Sequence, residues 1–405
     1  MNMHKPLLLL WLISMMIGAI IITTTTTVAA MLNPIDFLAL QEIHSSLEDT
    51  PGSNFLLAWD FSSDPCSFPG VLCSPTTNRV VSLSLGDPRA GAPGLTGKLH
   101  PSLSLLSELT DLSLVPGRVY GPIPPSLSLL RRLRFLALSE NFLSGPIPQS
   151  LSSLPSLQTL DLSFNLLSGS IPPPPPSLSS LILSHNRLSG TIPSAIGGNP
   201  RLLRLDLKHN HLTGEIPPLP QSLRYLALSS NNLSGEVRNV LPRLRMINYL
   251  DLSSNQLSGE IPGEIFGFDS LSVLLLQRNR FSGEVRPEGR VGIGRVDLSY
   301  NRLTGVVPEE LATVESLYLN SNRFTGAVPM RFVERLMGGS SGLQVLYLQH
   351  NFLTGIEISP AAKIPGSAAV CLRYNCMVPP AVESCPGNAG EPRSRSPEQC
   401  PEWRG

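Results

Sequence analysis

L-Q-T-L-D-L-S-F-N-L-L-S-G-S-I-P, residues 157–172, is the stretch that decides the fold. The same frame stands at residues 133–148 as L-R-F-L-A-L-S-E-N-F-L-S-G-P-I-P. Leucines recur at fixed offsets, an Asn follows, and then come Leu, Gly and Ile-Pro. The Asn can be tracked through Asn141, Asn165, Asn186, Asn210, Asn231, Asn255, Asn279, Asn301, Asn322 and Asn351, in steps of 24, 21, 24, 21, 24, 24, 22, 21 and 29 residues. An earlier copy at Leu109, Leu112 and Leu114 has Gly117 in the Asn position. A still earlier one at Val80, Leu83 and Leu85 runs into an irregular stretch before Leu95-Thr96-Gly97. The chain therefore holds about twelve repeats, and self-similarity at this period signals stacked units, not a closed core.

One copy cannot fold alone. L-x-L alternation puts both Leu side chains on one face of a short strand. Stacked copies bury that face, and their strands form a parallel sheet along the inside of a curved solenoid. The Asn amide can bond the backbone where the chain leaves the interior, so that no buried polar group is left unpaired. Ile-Pro then runs along the outer side, where Pro tolerates an extended backbone.

The frame L-x-x-L-x-L-x-x-N-x-L-x-G-x-I-P, as at residues 202–217 and 247–262, resembles the plant extracellular leucine-rich repeat proteins, specifically the receptor-like group. The Gly-x-Ile-Pro ending carries the plant-type mark, and the resemblance covers roughly residues 31–359. It implies an α/β-type repeat solenoid, a leucine-rich repeat horseshoe with disulfide caps at both ends. The expected organisation is a signal peptide over 1–30, an N-terminal cap over 31–79, the array over 80–359 and a Cys-containing C-terminal cap and tail over 360–405.

The leader reads as secretory. His4 and Lys5 precede an apolar run over 7–22, and Val28-Ala29-Ala30 offers small residues for cleavage before Met31. No second apolar run of spanning length follows, and there is no lipid-anchor tail and no kinase segment. The expected location is extracellular: apoplast, cell wall or outer face of the plasma membrane. Composition fits a folded chain with 41% hydrophobic residues, 15% charged residues and a formal net charge of zero. That balance speaks against a nucleic-acid partner, which would call for a basic excess.

Asn33-Pro34 is a helix start, with Asn as cap and Pro at the first position. Ile35, Leu38, Ala39 and Ile43 are expected on its inner face. The pair Cys66 and Cys73 around Gly70-Val71 is similar to the plant N-terminal cap, with Phe68 where the family has Trp, and implies a structural disulfide. Cys371, Cys376, Cys385 and Cys400 allow three connectivities, which spacing does not separate; two local bridges over the last repeat are the expectation. The residues Gly387 to Pro397 read as a polar tail. Two copies are Pro-rich, over 171–176 and 216–220, which predicts an extended, shortened convex side, with a ligand for a Pro-reading module as the other reading. The longest step contains residues 332–337, read as a short helix before the Gly-Ser turn 338–342. That insertion is far shorter than a folded island between repeats.

Motifs for chemistry mostly fail. The seven His include no His-Glu-x-x-His, the Cys spacing fits no zinc ribbon, and Gly97-Lys98 is followed by Leu99 where a phosphate loop needs Ser or Thr. Gly338-Gly-Ser340-Ser-Gly342 matches a nucleophile elbow literally but sits in a loop, not between strand and helix. No enzyme activity, cofactor or metal is expected. Asn232-Leu233-Ser234 is the one glycosylation acceptor.

Binding candidates lie on the concave face, in the residues beside the strand leucines. Asp161, Asp206, Asp251 and Asp297 recur there and read as solvated or locally bonded. Arg204, Lys208, His209, Tyr225, Tyr249, Arg278, Arg295, Tyr300, Tyr318, Tyr347 and His350 are of types favoured at binding hot spots and could form one long patch. The resemblance implies recognition of a protein, peptide or wall polysaccharide, in defence or development, with a separate receptor kinase as partner. The alternative is an inhibitor of a secreted pathogen glycosidase, polygalacturonase-inhibitor-like.

Overall fold

The structure, a computed structural model, describes residues 31–86, 94–338, 342–356, 368–378, 384–387, 389 and 394–400. The leader over 1–30, Ser340 of the literal elbow motif and most of the polar tail lie outside the described residues.

Each copy is one rung. Its inner strand is short, three residues in most copies, as in Arg204–Asp206, which pairs in parallel with Ser180–Ile182 before it and Tyr225–Ala227 after it. Fourteen such strands form the concave sheet among the described residues. Only the first pair, Val71–Cys73 with Val80–Leu85, is antiparallel. The leucines between strand positions, Leu205 and Leu207 among them, are fully buried. Each buried Leu contributes roughly 1.5–3 kcal/mol, and stacking continues that row from rung to rung.

Two features go beyond the expected layout. After the Asn a second, lateral sheet of eleven strands runs alongside the first, made of segments such as Arg187–Gly190, His211–Gly214 and Asn232–Glu236. The L-x-G part of the repeat builds it. Its Gly takes φ near +80°, as in Gly214, and Thr191 of the preceding rung packs where a Cβ would stand. Second, the residue before each Asn sits in the left-handed region although it is not Gly: Phe164 at φ +53°, His185 at +56°, His209 at +52° and Tyr300 at +54°. This conformation costs a residue of this kind on the order of 1 kcal/mol. It is held by main-chain bonds such as His209 N–H to Ser229 O at 2.9 Å.

The Asn side chains do what the spacing predicts. Asn255 Nδ2 donates to Leu228 O at 2.9 Å, Leu252 O at 3.2 Å and Ser253 O at 3.2 Å, while its Oδ1 accepts from Leu233 N–H at 3.0 Å. Each Asn thus ties its own rung to the one before. Asn141 reaches Val119 N–H and Leu114 O in the rung where Gly117 replaces Asn. The Gly leaves the room that this amide fills. The ladder extends past Asn351 to Asn375, which bonds Leu348 O and accepts from Leu353 N–H. A last inner strand, Ala369–Cys371, pairs with Val345–Tyr347.

The convex side carries short 3-10 turns such as Gln149–Ser153 and Ser194–Gly198. The Pro-rich segments over 171–176 and 216–220 have none. Pro175 is buried and Ser152 Oγ donates to Pro173 O, so one side of the first run is packed on the solenoid. The long step contains the helix Met330–Met337, with Phe332 and Leu336 inward.

At the N-terminus the helix Pro34–Ser46 starts as read, with Asn33 Oδ1 accepting from Ile35 N–H at 2.9 Å. Its buried face is a correction. Asp36, Ala39, Leu40 and Ile43 point inward, whereas Ile35 and Leu38 are 52% and 58% exposed. The stripe is turned because the Asp36 carboxylate is drawn in by Arg79 at 2.7 Å and by Val80 N–H at 2.8 Å. Cys66 and Cys73 are bridged. Phe68 stacks on Trp59 with centroids 5.4 Å apart, so Phe fills this place. At the far end Cys371 joins Cys385 and Cys376 joins Cys400, so the two bridges interleave.

Candidate functional site

The strand flanks present columns of side chains to the concave side, one residue per rung. They are not one continuous patch, because residues stack only within a column or onto its neighbour. Arg204, Tyr225 and Tyr249 occupy equivalent positions on three successive strands. The Arg204 guanidinium lies 4.1 Å over the Tyr225 ring, and the rings of Tyr225 and Tyr249 stack at 4.7 Å and 6°. Burial pushes the Tyr225 hydroxyl up to about 12, with Asp206 and Tyr249 adding to the effect. Tyr249 shifts the same way, for burial first and Asp251 next. Both phenols stay neutral donors over the whole physiological range.

A second group forms further on. Arg295 lies 5.1 Å over Tyr318, whose ring meets that of Tyr347 edge-on at 5.3 Å. Val273 and Leu275 separate this group from the first. Arg278 lies 4.6 Å over Tyr300 in the column of left-handed residues. His209 belongs to that same column, not to the tyrosine stack. It stacks on His185 at 4.3 Å, and His185 on Phe164 at 4.1 Å. Neither Phe164 nor His185 figures among the sequence candidates. Both precede the ladder Asn directly, and only the positive φ there aims their rings along the column. Lys208 approaches Asp206 at 4.0 Å. His350 is a correction: its Nε2 meets Ala389 O at 2.9 Å and its ring packs on Tyr374, so the C-terminal cap occupies it. Arg395 of that cap lies between Phe352 and Tyr374 and donates to Asn351 O.

The aspartates are structural, as the locally bonded reading expects. Asp251 Oδ1 accepts from Ser253 N–H at 3.0 Å and Ser253 Oγ at 2.6 Å; Asp297 does the same with Ser299. Burial raises the Asp297 carboxyl, opposed by its bonds from Ser299 and by Arg295 and Arg278. A carboxyl raised in the folded state adds stability below its unfolded value near 3.8 and loses it as pH rises through the folded value. Asn retains an acceptor for Ser299. Asp297→Asn is therefore expected to raise the melting temperature at pH 7 and to have no effect at pH 3, checked by calorimetry at both. An equal shift at both pH values would show that charge burial is not the cause.

Among the described residues no group of three or more His, Cys, Asp or Glu is placed to hold a metal ion. Asn232 is exposed on the first position of its lateral strand.

A concave parallel sheet, tied by an Asn ladder and lined by stacked Arg, Tyr, Phe and His, defines a leucine-rich repeat display scaffold. Family models agree: leucine rich repeat N-terminal domain over 33–74, and leucine rich repeats over 132–154, 156–178, 176–218 and 221–281. A receptor protein-tyrosine kinase, CEPR2 of Arabidopsis thaliana, is 37% identical over 76 residues, which are 19% of this chain and 7% of that protein. Among solved structures, PEPR1 with AtPEP1 matches at TM-score 0.67 and 26% identity, covering 84% of this chain and 55% of that one. A TDR receptor matches at 0.61 and 29%, covering 70% and 54%. A plant ice-binding protein matches at 0.57 and 27%, covering 83% and 99%. The chain thus spans a small fraction of its curated relative and about half of each receptor structure. It carries a leucine rich repeat N-terminal segment and leucine rich repeats, and over part of its length it is similar to plant receptor kinases and their solved leucine-rich repeat structures. Among the described residues no helix is long and apolar enough to cross a membrane.

Proposed function

We propose that the protein is a secreted or cell-surface recognition module that binds an extended peptide or protein segment on its concave face without turning it over. The observation that carries this reading is the Arg204–Tyr225–Tyr249 stack: three planar groups, pre-stacked and half-exposed, on three consecutive rungs. Ordering such groups in advance lowers the entropy cost of binding. Support comes from the similarity to PEPR1, which was solved with AtPEP1. In this reading the protein acts in defence or developmental signalling beside a separate receptor kinase.

A glycosidase inhibitor would use the same face on a folded enzyme. Affinity capture from plant extracellular fluid separates the two: co-purified receptor kinase or peptide supports sensing, while a hydrolase that loses activity supports inhibition. Tyr249→Ala and Arg204→Glu are each expected to weaken capture roughly tenfold or more. Capture unchanged by both substitutions would remove the concave stack from the account. The likeness to the ice-binding protein carries the fold. The hydroxyl column of the lateral sheet, such as Thr213, Ser234, Ser258 and Ser282, is bordered here by exposed Glu215, Glu236, Glu260 and Glu284, which gives that flank a charged rim.

A further inference from the structure

The middle of the concave face has two walls and a floor. Phe164, His185 and His209 form one wall on three consecutive rungs. Arg204, Tyr225 and Tyr249 form the other, on rungs that overlap and follow the first. Between them lie the small buried side chains of Ser184, Ala227 and Ser229 and, on the rung the two walls share, buried Asp206 and half-exposed Lys208. The result is an oblique trough crossing the rungs.

Accessible charge where the two walls overlap is positive, while half-exposed Asp161 and exposed Glu140 lie at the Phe164 end. Arg224 is exposed, and Arg204 and Lys208 are half-exposed. The acids on the same strands are withdrawn: Asp206 is 2% and Asp251 7% exposed, and Asp251 is committed to Ser253. Arg204 also has a buried Nε that finds no hydrogen-bond acceptor among the described residues. We infer that this trough takes an acidic peptide segment in extended form, and that the His185–His209 pair strengthens the grip as the medium turns acid. This rests on the concave-face reading above and adds to it the partner's charge and a pH dependence.

The two imidazoles stack at 4.3 Å, so a proton on one opposes a proton on the other. Burial holds the His185 ring below its ordinary value, His209 and Lys208 hold it lower still, and Asp206 partly offsets them. The remaining charged groups along this wall are Asp161, bonded to Ser163, and Glu140, on the rung before Phe164. These neighbours disfavour a proton on His185 at neutral pH. Acidification adds positive charge beside Lys208 and Arg204, and a bound carboxylate would draw the protons in further.

Two synthetic decapeptides, alternating Glu-Ala and alternating Lys-Ala, titrated into the protein by calorimetry at pH 7.5 and pH 5.5 test this. The acidic peptide should bind and tighten roughly two- to fivefold at the lower pH; the basic one should not bind. Arg204→Glu with Lys208→Glu should abolish binding at both pH values. His185→Phe with His209→Phe keeps planar rings in the stack and should remove the pH step, read as the ratio of affinities at pH 5.5 and pH 7.5. The inference falls if the acidic peptide does not bind, if both peptides bind equally, or if the pH step survives without the histidines. Loss of partner capture by Tyr249→Ala alongside any of those results would sink this inference alone. Capture indifferent to Tyr249→Ala and Arg204→Glu would sink the concave-face reading itself.

Discussion

Asn255→Ala is expected to destabilise the array by roughly 2–4 kcal/mol, although the side chain touches no candidate site residue. Its amide makes three donor bonds across two rungs and accepts the Leu233 N–H. Alanine removes all four and leaves a buried N–H and several carbonyls without partners. Leaving such a group unsatisfied costs about 1–3 kcal/mol. In a solenoid each rung contacts mainly its neighbours, so the damage should concentrate nearby. Urea unfolding should show the loss, and amide exchange should speed most at Leu233 and the adjoining rungs. Gln256→Ala, one residue on and half-exposed, should stay within about 0.5 kcal/mol. A loss under about 1 kcal/mol for Asn255→Ala, with Leu233 exchange unchanged, would mean the ladder is not what joins the rungs.

The second large effect is expected at the N-terminal cap. Asp36 is fully buried; it accepts from Arg79 at 2.7 Å and from Val80 N–H at 2.8 Å. Arg79 is mostly covered, and the bond it donates to Asp36 raises its already high pKa, so it stays charged. Asp36→Ala removes the guanidinium's counter-charge, leaving it only Ser107 Oγ and Leu105 O, and orphans the N–H of the first residue of the strand Val80–Leu85. Removing one partner of a buried pair costs about 3–5 kcal/mol. The exposed pair Arg132–Glu108, at 2.9 Å, provides the internal comparison: Arg132→Ala should cost under about 1 kcal/mol. Thermal melts of both variants decide it. Equal, small losses would show that the helix Pro34–Ser46 is held by its apolar face alone.

Much of this architecture was legible because the repeat states its physics many times over. The Leu rows, the ladder Asn and the helix start at Asn33-Pro34 all follow from local rules acting on residues close in the chain. Misses arose where the answer depends on a neighbour far off in sequence. Leu40 rather than Leu38 faces inward because Asp36 has a partner at Arg79. His350 reads as a display residue until the cap residue Ala389 accepts its ring nitrogen. Phe164 and His185 look like loop residues until the left-handed backbone turns them into a stack.

Periodicity by itself determined the parallel order of the rungs and the residues they bury, since a leucine at a fixed offset has the same environment in every copy; the last rung, with Asn375, came only from the structure. Tertiary structure decided which side chains meet. Residues about 21–24 positions apart become neighbours only after the rungs stack, so the division of one presumed patch into separate Arg–Tyr and His–Phe stacks was settled by register, not by composition. The interleaved bridges Cys371–Cys385 and Cys376–Cys400 were decided in the same way, because proximity across the last rung, and not spacing along the chain, selects a thiol's partner.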